Sequence, residues 1–83
     1  MDLVRSRIGY NKKDKVEIFY SAEYGSEIRA SLTYRTLGGE FIRKRKFYNR
    51  AECLLEFATI TRNNELLRKV EVSKEYQAWL ENY

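Results

Sequence analysis

The sequence predicts an α+β fold: an antiparallel three- to four-stranded meander sheet, one helix packed on one face, and a second C-terminal helix. Three observations carry this expectation. Apolar residues recur with period two over residues 16–24 and again over 28–36, the spacing of half-buried strands. Short turn-like segments separate the strand-like runs, the second and third of them containing Gly, so neighbouring strands join by hairpins. After Asn49 the apolar spacing changes to three and four, the spacing of a helix face. With 83 residues the chain is expected to form one compact domain, 1–83.

Residues 3–10 (LVRSRIGY) alternate Val4, Ser6, Ile8 and Tyr10 on one side, which fits a short strand. The polar run 11–15 (NKKDK) reads as a turn. Residues 16–24 put Val16, Ile18, Tyr20, Ala22 and Tyr24 on one face, and 28–36 do the same with Ile28, Ala30, Leu32 and Tyr34. A two-residue turn at Gly25-Ser26 sets these two apolar faces against each other's polar sides. A three-residue loop, Gly25-Ser26-Glu27, pairs Tyr24 with Ile28, Ala22 with Ala30, Tyr20 with Leu32 and Ile18 with Tyr34. One slip of register moves every side chain of a strand to its other face, so the three-residue loop is expected.

Gly38-Gly39 is free to take positive φ and turns the chain into a strand over 40–48 (EFIRKRKFY). That strand is apolar at its ends and basic on both sides in its middle, as edge strands are. Asn49 then reads as an N-cap, with Glu52 completing a capping-box pattern and Tyr48 placed to staple onto Cys53. Ala51, Leu54, Leu55 and Ala58 form the helix stripe, and Asn63-Asn64 is expected to end it. Residues 65–72 fit a strand through Leu66, Val70 and Val72, and a helical turn through Leu66, Leu67 and Val70; the sequence does not decide between them. Ser73 caps a last helix over 73–83, whose Tyr76, Trp79, Leu80 and Tyr83 share one face.

The chain has no His and one Cys. The usual general base, a Cys–His pair and an ordinary zinc site are therefore excluded. Cys53 reads as a half-buried helix residue, and Glu52 with Glu56 as a solvent-facing stripe. "LGGE" (37–40) lacks the spacing of a phosphate loop. No catalytic residue, metal ligand or cofactor is assigned, and an enzyme is not expected. No apolar run reaches the ~18–20 residues that span a bilayer. Arg5 and Arg7 stand where the apolar part of a signal peptide would begin, so no membrane partner and a cytoplasmic location are expected.

Charge is uneven along the chain. Residues 1–50 hold twelve Lys/Arg and six Asp/Glu, a net of +6; residues 51–83 hold four and six, a net of −2. Together they make the overall +4, and the sheet half is the basic half. If Leu32 and Tyr34 face the helix, then Arg29, Ser31, Thr33 and Arg35 face solvent. Pairing across Gly38-Gly39 sets Arg35 opposite Ile42, Thr33 opposite Lys44, Ser31 opposite Lys46 and Arg29 opposite Tyr48. One open face then carries Arg29, Arg35, Lys44 and Lys46, with Phe19 on it, Tyr48 at its rim, and Glu17 and Glu23 diluting its charge. Arg43 and Arg45 lean to the helix side, where acids such as Glu52 or Glu56 can pair with them.

Cations, hydroxyls and aromatics on one flat surface suit phosphates and bases. The expected function is that of a small basic nucleic-acid-binding protein, for RNA or DNA. Arg29, Arg35, Arg43, Lys44, Arg45 and Lys46 would contact phosphates, and Tyr48 and Phe19 would stack on bases. No RNP motif, GXXG loop or helix-turn-helix spacing accompanies them. The alternative is an inhibitor or adaptor of the phage or mobile-element type, binding a protein through the basic face or through Tyr76, Trp79 and Tyr83. A homodimer joined by an edge strand or the last helix is compatible with either.

Overall fold

The computed structural model describes residues 6–81, with side chains from residue 8. Its order is β1 (Ser6–Asn11), β2 (Val16–Ala22), β3 (Ala30–Thr36), β4 (Phe41–Phe47), α1 (Arg50–Ile60), α2 (Asn64–Glu71) and α3 (Lys74–Glu81). The four strands form one antiparallel meander sheet in the order β1-β2-β3-β4. The α+β expectation holds, with a helix more than the two the sequence predicts.

Period two decides which face is inside. Ile18, Tyr20, Leu32 and Tyr34 are buried against α1, while their neighbours Phe19 and Thr33 are only half-buried. The pairs Ala22/Ala30, Tyr20/Leu32 and Ile18/Tyr34 form as expected. Tyr24 and Ile28 stay outside the ladder, which closes through the Glu23 amide on the Arg29 carbonyl at 2.8 Å. The Asn11 carboxamide accepts from the Asp14 amide at 3.0 Å and tightens the β1–β2 turn. Leu3, Val4 and Arg5 of the first predicted strand lie outside the described residues.

The β3–β4 register departs from expectation at one place. Thr33/Lys44 and Ser31/Lys46 pair, but a bulge between Tyr34 and Arg35 sets Arg35 opposite Phe41 rather than Ile42. The extra residue, Ile42, leaves the open face and lines a hollow with Tyr34 and Ile60 on the helix side. Arg29 and Tyr48 do not pair either. β3 begins at Ala30, and the Arg29 amide bonds to the Phe47 carbonyl at 2.9 Å.

α1 starts where the Asn49 side chain accepts from the Glu52 amide at 2.9 Å. Tyr48 is 70% exposed, so it does not staple the buried Cys53. The buried stripe is wider than the predicted one. Cys53 and Phe57 join Ala51, Leu54 and Ala58, and Leu55 is half-buried. The reason is that α1 packs against both β2–β4 and the other two helices, α2 and α3. Full burial of each large apolar side chain contributes ~1.5–3 kcal/mol.

α1 ends at Ile60, not at Asn63-Asn64. Arg62 takes the left-handed conformation (φ 56). The Asn63 side chain then caps α2 by accepting from the Leu66 amide at 3.1 Å. Residues 64–71 are thus helical. Leu66 and Val70, four apart, both reach the core, and Lys69 pairs with Glu65 at 3.3 Å across one turn. The Ser73 hydroxyl accepts from the Tyr76 amide at 3.2 Å and caps α3.

Candidate nucleic-acid interface

All three helices lie on one side of the sheet, so the other face is open. Its side chains fall into rows set by register. Ser21, Ser31 and Lys46 make one row; Ile8, Phe19, Thr33 and Lys44 the next; Tyr10, Glu17, Arg35 and Phe41 the third. A shallow hollow of about 360 Å³ runs between Phe19, Arg35 and Lys44, with Glu17, Glu23 and Ser31 in its walls.

Of the cations expected here, Arg35, Lys44 and Lys46 are on this face and exposed. Arg29 is exposed just before β3, and Tyr48 stands in solvent just beyond β4. Phe19 is on the face, half-buried. The Arg35 guanidinium donates to the Gly39 carbonyl at 3.2 Å, where Gly39 takes φ 91 in the hairpin turn. Lys44 lies 3.5 Å from the Glu23 carboxylate. Ser31 donates its hydroxyl to the same carboxylate oxygen at 3.1 Å, which fixes one negative charge over the hollow. At this exposure the Lys44–Glu23 pair is worth ~0.2–1 kcal/mol, little enough for a phosphate to displace the carboxylate.

Arg43 and Arg45 are not on this face. Arg45 hydrogen-bonds and ion-pairs with Glu56 of α1, and that carboxylate raises its pKa above the ordinary value. Its guanidinium also lies 5.0 Å from the Phe47 ring centroid. Arg43 lies 4.8 Å from the Tyr34 ring centroid. Arg45 thus ties the edge strand to α1 and Arg43 packs on β3, and the run of four cations divides by side.

Three further residues stand on the open face. Ile8, Tyr10 and Phe41 are 57%, 53% and 60% exposed and enlarge the apolar part of the surface. Pairing residues 8 and 10 with β2 would have found the first two. Phe41 joins only because of the bulge. A fourth, Arg50, works from behind. Its guanidinium donates to the Arg29 carbonyl at 3.3 Å and the Glu23 carbonyl at 3.2 Å, and lies 4.6 Å from the Tyr24 ring centroid. A cation on the first residue of a helix opposes the helix dipole. That misfit was the available signal that Arg50 serves something other than α1: it clasps the β2–β3 loop and so holds Glu23 at the rim.

The remaining chemistry is muted. Cys53 is fully buried, and burial pushes its thiol up to about 12. Among the described residues no group of three or more His, Cys, Asp and Glu could hold a metal ion, and no helix is long and apolar enough to cross a membrane. On α3, Tyr76 packs on the core edge, and its ring centroid is 5.9 Å from that of the half-buried Trp79. Leu80 is 47% exposed, and Tyr83 lies outside the described residues. Compared with known proteins, the chain matches no family model, no curated protein and no solved structure.

Proposed function

We propose that the protein binds single-stranded nucleic acid on the open face of its sheet. The observation that supports this most is the interleaving of Arg35, Lys44 and Lys46 with Phe19, Tyr10 and Phe41 on one uncovered surface. Exposed aromatic rings take the flat faces of unstacked bases, which a duplex hides, and each stacked base contributes ~1–3 kcal/mol. The cations follow the backbone. Ser21, Thr33 and the other polar side chains between them add hydrogen-bonding partners without demanding one base sequence.

The test is fluorescence anisotropy with labelled oligo(U) and oligo(dT) across a salt series. Four contacts, from Arg29, Arg35, Lys44 and Lys46, give an expected log–log slope of about −3 for a single strand. Binding that does not change with salt, or no binding at low ionic strength, contradicts the proposal. The absorbance ratio of protein purified at low salt, before and after nuclease, is a cheaper first look.

A second reading, a protein-binding inhibitor or adaptor, draws on α3, which buries no residue fully and carries Trp79 half-exposed beside the exposed Leu80. A stoichiometric protein partner retained after nuclease and high salt would support it.

A further inference from the structure

A second basic concavity lies off the open face. Two adjoining clefts of about 480 and 450 Å³ lie between the β1–β2 turn and the α1–α2 turn, and both are lined by Tyr10, Lys12, Thr61 and Arg62. Lys13 closes the second. Lys12, Lys13 and Arg62 are exposed, and among the described residues no acid pairs with them. Elsewhere Lys44, Arg45 and Lys69 each have a carboxylate partner. The nearest acid in sequence, Asp14, accepts from the Asn11 carboxamide at 3.1 Å and lines neither cleft.

The geometry is also preset. The Asn11–Asp14 hydrogen bonds and the positive φ of Lys15 (53) shape the turn that carries Lys12 and Lys13. The positive φ of Arg62 turns the chain between the two helices. The carbonyl end of α1 and the amide end of α2 meet there, so their opposite partial charges largely offset and the side chains set the sign. Tyr10 belongs by register to the open face and also lines both clefts, so the β1 edge is the wall shared by the two surfaces.

We propose that the phosphodiester backbone of the strand bound on the open face continues over the β1 edge into this cleft, where Lys12, Lys13 and Arg62 hold its phosphates. This rests on the open-face reading above. Three further contacts steepen the salt slope from about −3 to about −5.

The experiment uses the full chain, labelled oligo(U), and three sets of variants checked by circular dichroism. Lys12→Gln, Lys13→Gln and Arg62→Gln together remove the cleft charge. Arg68→Gln, Lys69→Gln and Lys74→Gln remove the same charge from α2 and α3. Lys44→Gln with Lys46→Gln weakens the open face. The cleft variant is expected to lose about 100-fold in affinity at 0.1 M salt and about 2 from the slope, far more than the α2–α3 variant. Equal losses in these two variants, with the open-face variant still weakened, overturn the cleft and leave the open-face reading standing. An open-face variant that binds like the unchanged protein overturns that reading, and the continuous track with it.

Discussion

Tyr20 buries a polar group in the core. Its ring is fully buried and packs on Phe57 with centroids 6.1 Å apart, yet its hydroxyl has no hydrogen-bond partner. Leaving such a group unpaired costs ~1–3 kcal/mol. Tyr20→Phe is therefore expected to leave stability unchanged or raise it by about 1 kcal/mol in urea unfolding; a loss of that size would mean that the hydroxyl has a partner. Cys53 gives a second expectation. Burial raises its folded pKa from the ordinary 9.0 to about 12, so the unfolded chain ionises first. Its contribution is complete below pH 9 and is lost as pH rises toward 12, with a slope of at most ~1.4 kcal/mol per pH unit. Tyr20 shifts in the same direction, again through burial. Unfolding midpoints should fall above pH 9, and Cys53 should resist a thiol reagent at pH 8 until the chain unfolds. Rapid labelling of the folded protein would contradict its burial.

Elements differed in how plainly the sequence declared them. β2 and β3 were legible to the register because two independent period-two patterns had to share one buried face. α1 was legible at its start, because Asn49 leads into an apolar stripe, but not at its end. Asn63 looks the same as a helix terminator and as an N-cap, and the turn itself is made by Arg62, a residue that rarely adopts positive φ. α2 was ambiguous because Leu66 and Val70 suit either period; only the core they enter decides. The β4 bulge, which sets Phe41 rather than Ile42 opposite Arg35, left no trace in composition. Gly9 was also unremarked. A Cβ there would stand 2.5 Å from Thr61 Cγ2 and 3.0 Å from Phe57 Cζ, so the close approach of β1 to the end of α1 needs glycine. Because the Asn63 side chain caps α2, Asn63→Ala should cost about 1 kcal/mol, read as a lower unfolding midpoint. An unchanged midpoint would argue that packing of Leu66 and Val70 alone defines the helix.

For the whole molecule, the open face was legible in its cations but less so in their neutralisation. Sequence order alone put Arg29, Arg35, Lys44 and Lys46 together and assigned Arg43 and Arg45 to the helix side. It could not show that Ser31 and Lys44 both hold the Glu23 carboxylate over the hollow, because that depends on Arg50 clasping the loop from 27 residues away. In the open-face account Glu23 repels a phosphate. Glu23→Gln should then tighten oligo(U) binding by up to about fivefold at low salt, the worth of one unit charge at ~4 Å in water. Weaker binding would mean that Glu23 itself contacts the strand, and would contradict its repelling role.

The proposed function requires that the uncovered sheet face, and not the helix layer, meets the ligand. Amide chemical-shift mapping of the isotope-labelled chain with unlabelled oligo(U) tests this directly. Shifts are expected to group on Phe19, Thr33, Arg35, Lys44 and Lys46, with α3 unmoved. Shifts grouped on Tyr76, Trp79 and Leu80, or none on the sheet at low salt, would contradict it.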